Sequence, residues 1–139
     1  MSVDHVGLSV ADLNSMTDWY ARALAARVEY TIERPAVAMR GTVLIDDDGF
    51  RLELLHREHS QPIHGTETID ESLLRHGFGH LALRVDDVNG AFERLVAQGA
   101  AAILAPRPGS QPGMTIAFVA DPEHNLIEIL SRPREEPAA

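Results

Sequence analysis

The sequence lacks cysteine and lysine: none of its 139 residues is Cys, and all 12 basic residues are Arg. The absence of Cys excludes disulfides, thiolate metal ligands and a Cys nucleophile. The absence of Lys excludes Schiff-base chemistry and the phosphate-binding lysine of a P-loop. Imidazoles and carboxylates are therefore the main candidates for metal binding or acid–base catalysis in this chain.

The sequence also has little positive charge and no long hydrophobic run. Its formal net charge of −9 leaves no basic face for nucleic acid or for an anionic membrane surface. No apolar run approaches the roughly 18 residues that cross a bilayer. The first residues show no basic segment followed by an apolar stretch, so we expect no signal peptide and a cytoplasmic protein.

Hydrophobic residues make up 45% of the chain, which is enough for a substantial core. Ten glycines and eight prolines indicate many short elements rather than long helices. The length suits one compact domain or two small fused halves.

Two histidines and two glutamates recur at one spacing. His5 and His80 are 75 positions apart, as are Glu53 and Glu128 (80 − 5 and 128 − 53). Other positions match at the same offset without a gap: 4–14 on 79–89, 25–26 on 100–101, Asp46 on Asp121, and 52–55 on 127–130. Matches in several segments that stay in register indicate two copies of one unit.

Each copy is predicted to contain a strand, a helix and three further strands. Alternating apolar residues predict the first strand, with Val6, Leu8 and Val10 packed beneath a helix. Asp12 or Asn14 can cap that helix, which runs to about Ala26 with Trp19 and Tyr20 in its core face. The other predicted strands are 27–33, 38–46, 50–57, 79–85, 101–105, 115–120 and 126–131, and the second helix is 88–98.

These elements predict an α+β fold of two tandem βαβββ modules, which form a curved mixed sheet around a metal-binding cleft. The first module spans 1–58 and the second 78–131. Between them lies a polar connector, 59–77, with a short helix at 70–75. The tail, 132–139, is expected to be frayed. In the last turn of the second module, Asp121 to Asn125, Asn125 is expected to adopt positive φ.

Alternation along the strands places the two His–Glu pairs on the face away from the helices. Glu53 and Glu128 each lie within an aliphatic run, where a buried unpaired carboxylate would cost several kcal/mol. A bound cation removes that cost. We therefore expect His5, Glu53, His80 and Glu128 to bind one divalent metal, with Zn, Ni, Co, Mn or Fe(II) suiting oxygen and imidazole ligands.

The segment from His56 to His59 only superficially resembles a metal site, and we do not expect it to bind a metal. It offers His and Glu in proximity, but a zinc deaminase also needs a pair of cysteines, and the order of residues does not match the zinc protease motif. His64, His76 and His124 have no partner in the repeat and are expected in loops.

The matching stretches resemble the vicinal-oxygen-chelate superfamily, which includes glyoxalase I, methylmalonyl-CoA epimerase, extradiol dioxygenases and bleomycin-resistance proteins. The resemblance covers residues 3–131. It is carried by DHVGLSVADL at 4–13, WY at 19–20, RLELL at 51–55, GHLALRVDDV at 79–88, AFVADP at 117–122 and IEIL at 127–130.

The resemblance implies paired βαβββ modules and places four residues at the family's metal positions: His5, Glu53, His80 and Glu128. This His/Glu/His/Glu set is most similar to that of glyoxalase I. The implied function is a metal-dependent lyase or isomerase, similar to lactoylglutathione lyase, that acts through a metal-chelated enediolate. Alternatives are an epimerase of a keto acid, sugar-like or acyl-CoA substrate, an Fe(II) extradiol dioxygenase, and a drug-binding resistance protein without catalysis.

In that chemistry Glu128 is expected to be the principal base, helped or mirrored by Glu53. Ser9, Arg84 and Arg51 are the candidate substrate-binding residues. Ser9 stands where glyoxalase I commonly has an arginine for the glutathione carboxylate, and the arginine occurs at the equivalent position of the second half, Arg84. The partners expected by resemblance are a small-molecule substrate and a second copy in a homodimer, with no nucleic acid and no membrane.

Overall fold

The computed structural model describes residues 1–62, 68–74 and 76–133. The chain divides into two compact units, Met1–His64 and Gly65–Ala139. Each unit contains one mixed four-stranded sheet with a helix packed on it. Within the described ranges, no helix has the length and hydropathy required to cross a bilayer.

The first unit contains β1 (Val6–Ser9), α1 (Leu13–Ala23), β2 (Arg27–Arg34), a 3-10 turn (Pro35–Val37), β3 (Met39–Ile45) and β4 (Arg51–Arg57). The sheet order is β1-β4-β3-β2, with β1 parallel to β4 and the other pairs antiparallel. The helix α1 packs against β3 and β4 and so covers one face of the sheet.

The helix α1 begins where the sequence predicts. The side chain of Asp12 accepts a hydrogen bond from the backbone N–H of Ser15 (3.0 Å), which makes it the N-cap. Trp19 and Tyr20 are 3% and 2% exposed, which confirms them as helix core. The helix ends at Ala23 rather than near Ala26, and the chain turns through a positive φ of 50° at Ala25.

The second unit contains α2 (Ile69–Ser72), β5 (Leu81–Arg84), α3 (Val88–Ala97), β6 (Ala101–Pro108), β7 (Thr115–Ala120) and β8 (Leu126–Ser131). The sheet order β5-β8-β7-β6 repeats that of the first unit, again with the first and last strands parallel. Asp87 caps α3 by accepting from the backbone N–H of Gly90 (3.0 Å), as Asp12 does 75 positions earlier (87 − 12).

These observations confirm the predicted α+β fold of two βαβββ modules. Hydrogen bonding divides the strands of the expected curved sheet into one mixed sheet in each unit. The short helix predicted at 70–75 spans Ile69–Ser72 instead. Position 75, residues 63–67 of the predicted connector with His64, and residues 134–139 of the predicted tail lie outside the described residues.

Two details differ from the predictions. Val6 is 37% exposed, whereas Val10 is 2% exposed, and β1 is an edge strand of its sheet. In the turn before β8, positive φ occurs at His124 (70°), not at Asn125. His124 corresponds to Gly49 (124 − 75), which has φ of 87° in the first unit.

In both of these turns an aspartate side chain accepts hydrogen bonds from two backbone N–H groups. Asp46 Oδ1 accepts from the backbone N–H of Asp48 and Phe50, at 3.0 and 2.8 Å. Asp121 Oδ1 accepts in the same way from Glu123 and Asn125, both at 2.9 Å. The aspartates therefore fix the hairpins that bring the last strand of each unit back into its sheet.

Candidate metal centre

The strand β4 directs Glu53 away from the helix. Its neighbours Leu52 and Leu54 are 2% and 0% exposed, so they face the core, and alternation turns Glu53 to the opposite face. Gly7 of β1 is the register partner of Glu53. A Cβ placed on Gly7 would lie 3.4 Å from Glu53 Oε2, so the missing side chain leaves open space beside the carboxylate.

His5, just before β1, contacts Glu53 and its own neighbour. Its Nε2 lies 3.5 Å from Glu53 Oε2, and its Nδ1 lies 2.9 Å from Asp4 Oδ2. The hydrogen bond to Asp4, reinforced by the charge of Glu53, raises the pKa of His5, and the same bond lowers the pKa of Asp4. We call His5 and Glu53 the first His–Glu pair.

The second unit repeats this contact. His80 Nε2 lies 3.2 Å from Glu128 Oε2, and we call these residues the second His–Glu pair. Buried Ile127 and Ile129, each 1% exposed, flank Glu128 and direct it away from α3. The ring of Phe118, opposite Glu128 in the register, meets His80 edge-on with ring centres 5.2 Å apart.

The chemistry of each pair fits a divalent cation. An imidazole nitrogen and a carboxylate oxygen that face each other form a ligand pair that suits Zn, Ni, Co, Mn or Fe(II). Within the described ranges, no three His, Asp or Glu side chains form a group that could hold a metal. Each pair by itself therefore supplies two ligands, half of the predicted set of four.

The predicted substrate-binding residues lie on the strands that carry the pairs. Ser9 in β1 and Arg84 in β5 are exposed and occupy equivalent positions (84 − 9 = 75). Arg51 in β4 is two residues before Glu53 and is bound by Glu29, with Nε–Oε2 of 2.7 Å and Nη2–Oε1 of 2.8 Å.

The sequence patterns did not predict a role for Asp4 or Glu29. The position of Asp4 directly before His5 was a usable signal, whereas Glu29 reaches Arg51 only through the fold. His56, from the segment that only resembles a metal site, donates from Nδ1 to the backbone carbonyl of Val10 (3.1 Å), a contact between strand and loop within the first unit. His76 and His124 lie in bends and turns, as predicted.

The model of the Glyoxalase/Bleomycin resistance protein/Dioxygenase superfamily matches residues 2–129 of the chain. This match covers most of the sequence, and the chain belongs to that superfamily, as the resemblance predicted.

Two of the curated relatives that match this chain are both named lactoylglutathione lyase. A lactoylglutathione lyase from Neisseria meningitidis serogroup A is 30% identical over 136 residues, covering 95% of this chain and 91% of the relative. A lactoylglutathione lyase from Haemophilus influenzae is 29% identical over 132 residues, covering 94% of this chain and 92% of the relative. These relatives support a glyoxalase-like function at the level of the family.

Solved structures agree with the fold. A glyoxalase family protein from Enterococcus faecalis has a TM-score of 0.77 and 19% identity, covering 93% of this chain and 96% of that chain. Glyoxalase I from Zea mays has a TM-score of 0.71 and 23% identity, and the match covers 93% of this chain. The chain spans only 44% of the maize protein's length.

Proposed function

We propose that this chain is a metal-dependent lyase or isomerase of the glyoxalase I type, similar to lactoylglutathione lyase, and that His5, Glu53, His80 and Glu128 bind one divalent cation. The observation that carries the proposal is the same His Nε2 to Glu Oε2 contact in both units, at 3.5 and 3.2 Å. The names of the curated relatives supply the reaction class.

A cation bound by these residues would polarise a substrate carbonyl and stabilise negative charge on its oxygen. The strands of the two sheets and their buried residues position the imidazoles and carboxylates. Glu53 and Glu128 are held on rigid strands between buried aliphatic neighbours, and their side chains are 19% and 14% exposed. Their limited contact with water strengthens their interactions with any charge that approaches them.

Glu128 is the proposed base, which takes a proton from the carbon next to the polarised carbonyl. It is the less exposed of the two carboxylates, and Phe118 packs against its histidine partner. Glu53, in the equivalent position of the first unit, would help or mirror that transfer on the opposite face of the substrate carbon. His5 and His80 act as fixed ligands.

Arg84 is the proposed site for a negatively charged group of the substrate, because it is an exposed guanidinium four residues after His80. Ser9 would donate a hydrogen bond from the equivalent position of the first unit. Arg51 is the third proposed contact. It can reach a substrate only with the N–H groups that Glu29 leaves available, or after Glu29 is displaced.

The proposal is tested by metal analysis of protein purified without added ions, followed by turnover of a panel of hemithioacetals formed with different thiols. We expect about one divalent ion per set of four ligands, and isomerisation of at least one hemithioacetal that a chelator abolishes. We also propose that the chain forms a homodimer, which sedimentation equilibrium tests.

Other outcomes would replace the proposal with a named alternative. Deuterium entering a keto acid or acyl-CoA from heavy water, without a change of skeleton, would indicate an epimerase. Oxygen consumption with a catechol would indicate an extradiol dioxygenase. Absence of metal, with unchanged thermal stability in chelator, would indicate a binding protein without catalysis.

A further inference from the structure

We propose that Asp4 is a positioning residue for His5, because it accepts the Nδ1 proton and thereby fixes the tautomer in which Nε2 faces Glu53 as a bare nitrogen. The inference rests on the proposed function insofar as that nitrogen is directed to a cation. It adds a group outside the four proposed ligands and identifies a difference between the two units.

The contact that carries the inference is short and has only one possible direction. Asp4 Oδ2 lies 2.9 Å from His5 Nδ1, and an ionised carboxylate can only accept. The proton of a neutral imidazole is then on Nδ1. Nε2 is left with a lone pair directed to the side where Glu53 lies.

The Nε2 side of the His5 ring indicates the function of this tautomer. Nε2 and Glu53 Oε2 are 3.5 Å apart, and in the neutral tautomer both atoms are acceptors. Two acceptor lone pairs that face each other repel, and a proton or a metal cation between them removes that repulsion. Because Asp4 binds the proton on Nδ1, Nε2 stays unprotonated, and a cation can bind between Nε2 and Glu53. Ligating histidines generally use a second group in this way.

The second unit has no carboxylate at the position equivalent to Asp4. Gly79 stands where the repeat would place the equivalent of Asp4 (79 − 4 = 75). The ring of His80 instead makes an edge-to-face contact with the ring of Phe118. The first pair is thus oriented by a hydrogen bond to a carboxylate, and the second by contact with an aromatic ring.

The role of Asp4 is tested by comparing Asp4→Ala and Asp4→Asn with the unchanged protein. Long-range proton–nitrogen NMR of the metal-free proteins, at a pH where the imidazoles are neutral, reports the tautomer of His5. Titration with Zn²⁺ and with Ni²⁺ reports affinity. Asp47→Ala is the matched control, since it also removes a carboxylate from the first unit, one that is 99% exposed and pairs with Arg27.

We expect His5 in the unchanged protein to carry its proton on Nδ1. Asp4→Ala should move it to a mixture of tautomers and weaken metal binding by about 10–100-fold, the range typical for loss of a group that orients a ligand. Asp4→Asn should restore much of both properties because its amide oxygen still accepts. Asp47→Ala should change neither, and all three variants should keep the unfolding midpoint of the unchanged protein.

An unaltered tautomer and affinity in Asp4→Ala would overturn the inference, as would an equal loss of affinity in Asp47→Ala, which would indicate a general charge effect. The proposed function fails separately. Protein that binds metal through His5 but isomerises no hemithioacetal refutes the reaction and leaves the role of Asp4 standing. If the protein binds no metal, the tautomer alone decides whether Asp4 positions the ring.

Discussion

Glu29 accepts two hydrogen bonds from Arg51, with Oε2 2.7 Å from Nε and Oε1 2.8 Å from Nη2. The residues are 22 positions apart, on β2 and β4, with β3 between them. A break in the register of β2 and β3 between Val28 and Tyr30 leaves Glu29 without a partner in the ladder. The bulge therefore turns Glu29 toward Arg51, which stands two residues before Glu53.

This ion pair predicts an acid-dependent loss of stability. Arg51 lowers the pKa of Glu29 from its usual 4.5, since the guanidinium stabilises the charged carboxylate. A carboxyl group with a depressed pKa stabilises the fold above its unfolded pKa, and loses that effect as pH falls through the lower folded value. Urea unfolding of Glu29→Gln should therefore show less acid destabilisation below about pH 4.5 than the unchanged protein.

Glu33→Gln, on the same strand, is the control for this experiment. The explanation is wrong if the two glutamine variants show the same pH profile. The side chains of Glu29 and Arg51 are 30% and 31% exposed, so solvent screens their interaction in part, and the difference should be modest and smaller in high salt.

Replacement of the proposed base should remove turnover without removing the metal. Glu128→Gln keeps the size of the side chain and one coordinating oxygen, but it cannot accept the substrate proton. We expect turnover to fall by about 10²–10⁴-fold, the usual contribution of a general base. The same change at Glu53 should cost less. Full turnover of Glu128→Gln with metal still bound would assign the proton transfer to another group.

The open space at Gly7 should be needed for ligand geometry rather than for folding. Gly7→Ala should be tolerated, because its Cβ would sit 3.4 Å from Glu53 Oε2, an ordinary contact. The equivalent position in the second unit, Ala82, already carries a methyl group beside Glu128. Gly7→Leu should displace the carboxylate and weaken metal binding by about tenfold or more. Calorimetric titration distinguishes the two variants, and equal affinities would show that this space is dispensable.

Adding a carboxylate at position 79 should give the Nδ1 proton of His80 a hydrogen-bond acceptor, as Asp4 does for His5. A Cβ at Gly79 would meet nothing within 4 Å, so Gly79→Asp introduces no clash. We expect the neutral His80 ring to shift toward the Nδ1–H tautomer, which nitrogen NMR detects. An unchanged His80 spectrum would mean that the backbone at 79 directs the new side chain elsewhere.

The helix caps should contribute equally in the two units. Asp12→Ala and Asp87→Ala each remove a side-chain acceptor from an N-cap, and each should destabilise the fold by about 1 kcal/mol. Asparagine at either position should retain most of the stability, because its oxygen can still cap. Chemical unfolding at neutral pH measures both, and a loss with asparagine as large as with alanine would point to charge instead of capping.

Much of the fold could be predicted because its signals are local. Alternation revealed the strands, the spacing of apolar residues placed Trp19 and Tyr20 in a core, and Asp12 marked a helix start. The constant offset of 75 paired the modules and identified the two histidines and two glutamates as equivalents. These features depend on the periods of strands and helices, which any short window of sequence carries.

The tertiary structure decided which atoms meet. His80 and Glu128 are 48 positions apart and become neighbours only because β8 pairs in parallel beside β5. Glu29 reaches Arg51 only because a bulge shifts one register, and His124, not Asn125, takes the left-handed position because the hydrogen bonds of Asp121 fix that turn. Contacts of this kind depend on strand pairing across long stretches of chain, and no local period of the sequence encodes them.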